Sequence, residues 1–111
     1  MNTEYIDLSN ALLGDVSSSS NDKCTWHATE PGFFCLSDAR HVKFYAAEVW
    51  KNGGHLTLFD GFGRAIFKLP SVFTGSFQLD GYAAQGLYAR VGANNNVCPH
   101  ITISFQELDI A

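Results

Sequence analysis

Residues 55–70 read HLTLFDGFGRAIFKLP, and this stretch decides the fold class. Apolar and polar residues alternate on either side of Asp60-Gly61, which is the pattern of β-strands with one buried face. Asp-Gly also supplies the positive φ that a tight hairpin requires. A glycine-rich phosphate loop would instead lead from a strand into a helix, so a nucleotide site is disfavoured. The stretch therefore predicts two strands joined by a hairpin, with Phe62 at its tip.

The same alternation continues along the chain from Lys23, with turn residues about every ten positions. Eight such segments and no credible core helix predict an all-β protein, an antiparallel β-sandwich or jelly roll of about eight short strands. The predicted strands are Cys24–Ala28, Phe33–Leu36, Val42–Lys51, His55–Asp60, Ala65–Leu69, Gly75–Leu79, Leu87–Val91 and His100–Gln106.

One face of each later strand is apolar and is predicted to form the core. These core positions are Leu56, Leu58, Ala65, Phe67, Leu69, Phe77, Leu79, Leu87, Ala89, Val91, Ile101, Ile103 and Phe105. The opposite faces, with Thr57, Lys68, Gln78, Arg90, Thr102 and Ser104, are predicted to meet water. Between Val42 and Trp50 the alternation fails at Glu48, which predicts a β-bulge near Ala46-Ala47.

Glycines mark the connections between the predicted strands. Asn52-Gly53-Gly54 predicts a second tight hairpin, and Asp80-Gly81 predicts a further turn. Most of the glycines are thus explained by backbone geometry without a ligand.

The composition narrows the classes of function. The chain has 111 residues, which suits one domain with its own core. Charged residues make up 16% of the chain against about 25% in an average globular domain, so part of the surface is predicted to dock on a partner. The net charge of −4 leaves no basic stripe for nucleic acid. No apolar run could span a bilayer and no secretory signal is found, so the expected protein makes no membrane contact and is cytosolic or leaves the cell by another route.

The first 22 residues are predicted to be an acidic, Ser-rich N-terminal arm, followed by the β-sandwich domain over residues 23–111. The arm contains four acidic residues and no Lys or Arg, so it carries the whole net charge. Ser17–Ser20 predict a flexible hinge. The apolar residues of the arm suit a helical face and a strand equally well. These residues are Tyr5, Ile6, Leu8, Leu12 and Leu13.

Three cysteines in a chain without a signal argue against a disulfide scaffold. Cys24 with His27, and Cys98 with His100, could together offer two sulfurs and two imidazoles to zinc. Side chains of a β-strand alternate between its two faces, however, so Cys24 and His27 would lie on opposite faces of the strand. Free buried thiols are therefore favoured and no metal is predicted, with a Cys24–Cys35 bridge possible after exposure to air.

No catalytic residue is predicted. The four histidines are accompanied by no nucleophile elbow and no cysteine-protease signature. Glu48, Asp60 and Asp80 could supply a carboxylate pair for glycoside hydrolysis, but Asp60 and Asp80 each precede glycine and are explained as turn residues. The expectation is a protein that is not an enzyme and has no cofactor.

Residues 41–105 resemble small virion proteins of tailed bacteriophages. The resemblance rests on a succession of turn and strand motifs, namely Asn52–Gly54, Leu58–Gly61, Gly75–Gly81, Gly86–Val91 and Ile101–Phe105. It implies a β-sandwich that decorates and stabilises the capsid, performs no reaction, forms a homotrimer and binds the major capsid protein or another virion protein. The implied location is the virion, assembled in the host cytoplasm.

The interface of such a protein would use the apolar arm residues Tyr5, Ile6, Leu8, Leu12 and Leu13 together with two sandwich aromatics, Trp50 and Phe62. Two other functions stay open. A carbohydrate-binding or fibre-associated adhesion module would stack sugar rings on Trp26, Trp50, Tyr82 and Tyr88. A small enzyme or metal protein would use the histidines and cysteines.

Overall fold

The computed structural model describes residues 6–18, 23–51, 53–69, 74–94 and 96–108. A short 3-10 helix, Leu8–Asn10, is followed by ten strands. These are β1 (Leu12–Leu13), β2 (Asp15–Ser18), β3 (Lys23–Ala28), β4 (Gly32–Ser37), β5 (His41–Lys51), β6 (His55–Asp60), β7 (Ala65–Leu69), β8 (Gly75–Ala84), β9 (Leu87–Gly92) and β10 (His100–Leu108). The eight predicted strands correspond to β3–β10, and β1 and β2 lie in the segment predicted as an arm.

The strands form two five-stranded sheets. Sheet 1 has the order β1-β4-β9-β6-β7, and sheet 2 has the order β2-β3-β10-β5-β8. From β3 to β10, each strand lies in the other sheet from the strand before it, except that β6 and β7 form a hairpin. All pairs in the two sheets are antiparallel apart from the short parallel pair of β1 with β4. This wrapping is that of a jelly roll, which confirms the predicted fold class.

The core lies between the two sheets and is built from the predicted apolar faces. Trp26, Leu58 and Phe105 are almost fully buried there. Of the predicted core residues, Leu56, Leu58, Leu87, Ala89, Val91, Ile101, Ile103 and Phe105 are buried. Ala65, Phe67, Leu69, Phe77 and Leu79 are half-buried, because they lie on the edge strands β7 and β8.

Two residues predicted to face water are buried. Thr57 lies on β6 directly between Lys68 on β7 and Arg90 on β9, and the apolar stems of such long side chains can cover a neighbour. Thr102 lies beneath the indole of Trp50, which donates a hydrogen bond to it. Lys68 and Gln78 are exposed as predicted.

The predicted bulge in the long strand β5 is confirmed one residue before the expected position. Ser104 pairs with Ala46 and Phe105 pairs with Phe44, so Tyr45 is the extra residue. The bulge reverses the alternation, which keeps Val49 in the core and turns Glu48 outward.

The hairpin at Asp60-Gly61 is confirmed, whereas the other two turn predictions are wrong. The glycines of Asn52-Gly53-Gly54 join β5 in sheet 2 to β6 in sheet 1, so they connect two sheets instead of closing a hairpin; Asn52 itself lies outside the described residues. Asp80-Gly81 lies inside β8. A Cβ on Gly81 would stand 1.9 Å from Phe44 Cζ, so this glycine makes room for a core ring.

Residues 6–18 of the predicted arm are attached to both sheets. The Ile6 N–H donates to the Gly63 carbonyl at the β6–β7 turn, and the Gly14 N–H donates to the Cys35 carbonyl. Between these bonds β1 pairs with β4, and after them β2 pairs with β3. Ser17 and Ser18 of the predicted hinge therefore lie in a strand, and the rest of that hinge lies outside the described residues. Among the described residues, no helix is long and apolar enough to cross a membrane.

Candidate functional site

A groove with a volume of about 400 Å³ lies on the outer face of sheet 2. It crosses the sheet, because its lining comes from β2, β3, β5 and β10. The lining residues are Asp15, His27, Ala28, Thr29, Trp50, His100 and Ile101. A volume of this size is at the lower end of what small-molecule sites occupy.

Strand register brings the polar residues of the groove into one row across sheet 2. Asp15 on β2 lies opposite His27 on β3, and His27 lies opposite Thr102 on β10. Thr102 in turn lies opposite Glu48 on β5. Directly opposed residues on one face have Cβ atoms about 5 Å apart, so neighbouring members of the row are within reach of one another.

A chain of two hydrogen bonds fixes the centre of the site. Trp50 Nε1–H donates to Thr102 Oγ1 at 3.1 Å, and the same hydroxyl oxygen lies 2.6 Å from His27 Nδ1. The hydroxyl has one hydrogen and two lone pairs, so it can accept from Trp50 while it donates to His27. In that arrangement neutral His27 carries its proton on Nε2, the ring nitrogen that Thr102 does not contact.

A second bulge in β5 positions Trp50. Ile101 pairs with Val49 and His100 pairs with Lys51, so Trp50 has no directly opposed residue on β10. Bulges of this kind re-aim a side chain. The indole of Trp50 lies over Thr102 and still keeps 64% of its surface exposed.

The thiols do not form a site with the histidines. Cys24 belongs to the buried core, whereas His27 faces the outer groove, so the zinc set considered from the sequence is divided between two faces of β3. None of the three cysteines is in a disulfide, so the Cys24–Cys35 bridge is not formed. Burial raises the pKa of the Cys35 and Cys98 thiols, which keeps them protonated and weakly nucleophilic at neutral pH. Within the described residues, no three His, Cys, Asp or Glu side chains could hold a metal ion.

The hairpin of residues 60–64 is held together by a buried carboxylate. Asp60 Oδ1 accepts hydrogen bonds from the Phe62 and Arg64 N–H groups, each at 3.0 Å. Arg64 Nε lies 3.2 Å from Asp60 Oδ2 without hydrogen-bond geometry, so that contact is ionic. Asp60 therefore serves the turn, while Phe62 at the tip is 65% exposed.

The other two carboxylates considered for catalysis have partners of their own. Glu48 accepts a hydrogen bond from Ser76, and Asp80 forms an exposed ion pair with Lys43 at 3.8 Å. With Asp60 committed to its turn, the three carboxylates act at separate places.

The predicted interface residues are only in part exposed. Leu12, Leu13, Trp50 and Phe62 are exposed, whereas Ile6 and Leu8 are half-buried; Tyr5 lies outside the described residues. The four aromatics considered for sugar stacking do not form one platform. Trp26 is in the core, Tyr88 stacks on Phe33 on the outer face of sheet 1, and Tyr82 packs at a tilt against His41 at the β8 edge of sheet 2.

A second depression, of about 460 Å³, lies elsewhere on sheet 2 and is lined by Lys43, Tyr45, Gln78, Leu79 and Asp80. It is larger, but its lining has no chain of fixed hydrogen bonds among the described residues comparable to Trp50–Thr102–His27. The groove is therefore the better candidate, because specific sites combine an apolar wall with a few polar groups held in place.

No protein-family model and no curated protein matches this chain. One similar solved structure is the Fe(II) protein HppE in complex with substrate, at 9% identity and a TM-score of 0.43 over 91% of this chain. Another is a cupin 2 domain-containing protein from Halorhodospira halophila, at 11% identity and a TM-score of 0.43 over 94% of this chain and 69% of that one. This chain spans 60% of the HppE chain. At these identities and TM-scores, no activity or ligand is transferred from either protein.

The comparisons overturn the function predicted from the sequence. The similar structures are an Fe(II) protein and a cupin-domain protein, and neither is described as a capsid or fibre component. The prediction of a bacteriophage capsid decoration protein is therefore wrong. The motifs behind it are turn and strand signals, and jelly rolls of unrelated function share such signals. The homotrimer and the absence of nucleic-acid and membrane partners stay predictions.

The sequence pattern did not identify Asp15 and Thr102 as site residues. Asp15 comes from the segment predicted as an arm, and Thr102 contacts a histidine 75 positions away in the chain. Alternation places His100 and Thr102 on one face of β10, but only the strand register shows that His27 lies opposite.

Proposed function

We propose that the chain is a small-molecule-binding domain whose site is the groove on sheet 2. The ligand packs an apolar surface against the exposed face of Trp50 and forms hydrogen bonds with His27 and Asp15. The observation that carries the proposal is the indole of Trp50, which is exposed on its faces while its N–H is held by Thr102.

An exposed tryptophan with a fixed orientation is a prepared binding surface. A large ring buries much apolar area when a ligand covers it, and each square ångström removed from water contributes about 25 cal/mol. Because the hydrogen bond to Thr102 already restrains the indole, less side-chain freedom is lost on binding. The side chains of Ile101 and Ala28 are buried in the core, so the exposed apolar surface of the groove comes from Trp50.

The polar groups of the groove give the ligand an orientation. His27 Nε2 is a donor when Thr102 donates to Nδ1, and the Asp15 carboxylate is an acceptor beside it in the same row. His100 adds a second imidazole to the lining. A ligand with one apolar surface and one polar edge satisfies both sides of this site.

The proposal is binding without catalysis. Thr102 and His27 have the short contact of a nucleophile and its base. The hydroxyl is covered by the Trp50 indole, however, and Thr102 is only 8% exposed, so a substrate cannot reach it. We therefore assign Thr102 to positioning Trp50 and His27.

The test is a screen of small compounds, about 6–12 heavy atoms each, against the whole chain by saturation-transfer NMR and tryptophan fluorescence. An open site of this size is expected to bind its best compounds with a Kd of about 0.1–1 mM. Only two tryptophans are present and Trp26 is buried, so ligand-dependent changes in acrylamide quenching report on Trp50.

The matched variants are Trp50→Ala and Phe62→Ala, because both wild-type side chains are aromatic and about equally exposed. Binding is expected to weaken about tenfold in Trp50→Ala and to be unchanged in Phe62→Ala. The proposal fails if no compound binds, or if the compounds that bind retain their affinity for Trp50→Ala.

A further inference from the structure

Charge and aromatic surface in the groove restrict the chemistry of its ligand. Among the described lining residues there is one acidic side chain, Asp15, and no Lys or Arg. Glu48 adds a second carboxylate in the same cross-strand row, beyond Thr102. Lys51 lies opposite His100 in the strand pairing and is not among the residues that line the groove. The local field therefore favours a positive ligand and opposes a negative one.

The exposed face of Trp50 favours the same sign of charge. The π-system of an indole presents negative potential on its face, and tryptophan is the best of the side chains for binding a cation in this way. The face is accessible because the hydrogen bond to Thr102 uses the edge of the ring. A cation on the indole face would have Asp15 as a charged partner across the groove.

The geometry points to a small organic cation, an ammonium compound with apolar substituents, as the ligand of the Trp50–Asp15 groove. This inference rests on the proposed function and adds the charge of the ligand to it. The apolar substituents cover the indole of Trp50, and the positive charge lies against the indole face, where the Asp15 carboxylate attracts it across the groove. A bare metal ion does not fit this description, because the described residues offer no set of three ligands for one.

The experiment uses a pair of probes with the same shape and different charge. Choline carries a trimethylammonium group, and 3,3-dimethylbutan-1-ol has a neutral tert-butyl group in its place. Binding of each to the whole chain is measured by NMR titration and by quenching of Trp50. Choline is expected to bind about threefold or more tightly than the neutral alcohol, and to lose that advantage at high salt.

Two carboxylate variants locate the charge that is recognised. Asp15→Asn is expected to remove most of the difference between choline and the alcohol. Asp80→Asn, at an exposed site in the other depression of sheet 2, is expected to leave the difference unchanged. An unfolding curve for each variant shows that the fold is intact before binding is compared.

The failure of this inference can be distinguished from that of the proposed function. If both probes bind equally and both lose affinity in Trp50→Ala, the groove binds small molecules but the inferred charge is wrong. If neither probe binds while neutral compounds from the screen do, the inference is again overturned and the proposed function stands. If neither the probes nor any compound of the screen binds, both fail.

Discussion

On the outer face of sheet 1, Phe59 is fully buried, because the Phe33 ring packs edge-on against it and the Arg90 guanidinium lies 5.3 Å from its centroid. On the outer face of sheet 2, Trp50 keeps 64% of its surface exposed, and its hydrogen bond to Thr102 uses only the edge of the indole. Both rings are large and apolar, and both belong to strands inside a sheet. One is covered by its neighbours and the other is left open.

Register explains the difference between the two faces. On sheet 1, Phe59 pairs with Tyr88 and Phe33 pairs with Arg90, so large side chains stand directly opposite or diagonal to one another and close over the surface. On sheet 2, Trp50 is the extra residue of a bulge and has no directly opposed partner on β10. Phe59 has directly opposed residues on both β9 and β7, although the β6–β7 pairing shifts beside it, whereas the bulge at Trp50 leaves that ring without one on β10 and available to a ligand.

The largest expected effect of a substitution is at Asp60, whose buried carboxylate holds the β6–β7 hairpin of sheet 1 together. Asp60→Ala leaves the Phe62 and Arg64 N–H groups without their acceptor and is expected to lower the free energy of unfolding by about 3 kcal/mol. Urea denaturation of wild type and variant measures the loss. Asp60 is remote from the residues that line the groove, so ligand affinity of the folded variant should be unchanged.

Asp80→Ala is the matched control, because Asp80 also precedes a glycine but its side chain is 94% exposed. Its ion pair with Lys43 at 3.8 Å is at the surface, where such pairs contribute about 0–1 kcal/mol. Equal losses for Asp60→Ala and Asp80→Ala would contradict the assignment of the Asp60 carboxylate to the turn.

The sequence was sufficient for features that depend on neighbours in the chain. Alternation located β3–β10 but not β1 and β2, Asp60-Gly61 located the hairpin, and the irregular parity around Glu48 located a bulge. Each of these is a local signal. The prediction that Asn52-Gly53-Gly54 closes a hairpin is wrong because glycine permits a turn without specifying which sheet the next strand enters.

The candidate site could not be predicted in the same way. Its centre depends on β3, β5 and β10 lying side by side, and the contact between Thr102 and His27 joins distant parts of the chain. Asp15 depends on the pairing of β2 with β3, which the serine-rich composition of residues 17–20 concealed. The exposure of Trp50 depends on a second bulge, whose position follows from pairing and not from alternation.

A smaller effect is expected at Thr102, whose hydroxyl restrains the exposed indole of Trp50 on the outer face of sheet 2. Thr102→Val keeps the shape of the side chain but removes the hydroxyl between Trp50 and His27, and is expected to cost about 1 kcal/mol of stability. The more telling result is mobility: fluorescence anisotropy decay of Trp50 should show a freer indole, and ligand affinity should fall. Thr25→Val is the control, because Thr25 lies on β3 on the same outer face of sheet 2 as Thr102. An indole that stays equally rigid in Thr102→Val would mean that packing, and not this hydrogen bond, orients Trp50.

The smallest expected effect tests how closed the outer face of sheet 1 is at alkaline pH. Cys35 and Tyr88 are opposed across β4 and β9, and burial raises the pKa of both groups; the neighbouring thiol raises that of Tyr88 further. Both groups therefore hold their protons more tightly in the folded chain than in the unfolded one. The stability that this provides is complete below the ordinary pKa of the thiol, about 8.5, and is lost as the pH rises through the folded pKa values.

Thermal unfolding between pH 7 and pH 10.5 should show Tm falling above that point, and less steeply in Cys35→Ser. Trp50 and Thr102 on the outer face of sheet 2 provide the contrast, because neither side chain titrates in this range. Identical alkaline slopes for wild type and Cys35→Ser would mean that solvent reaches the thiol freely and that this face is more open than its packing indicates.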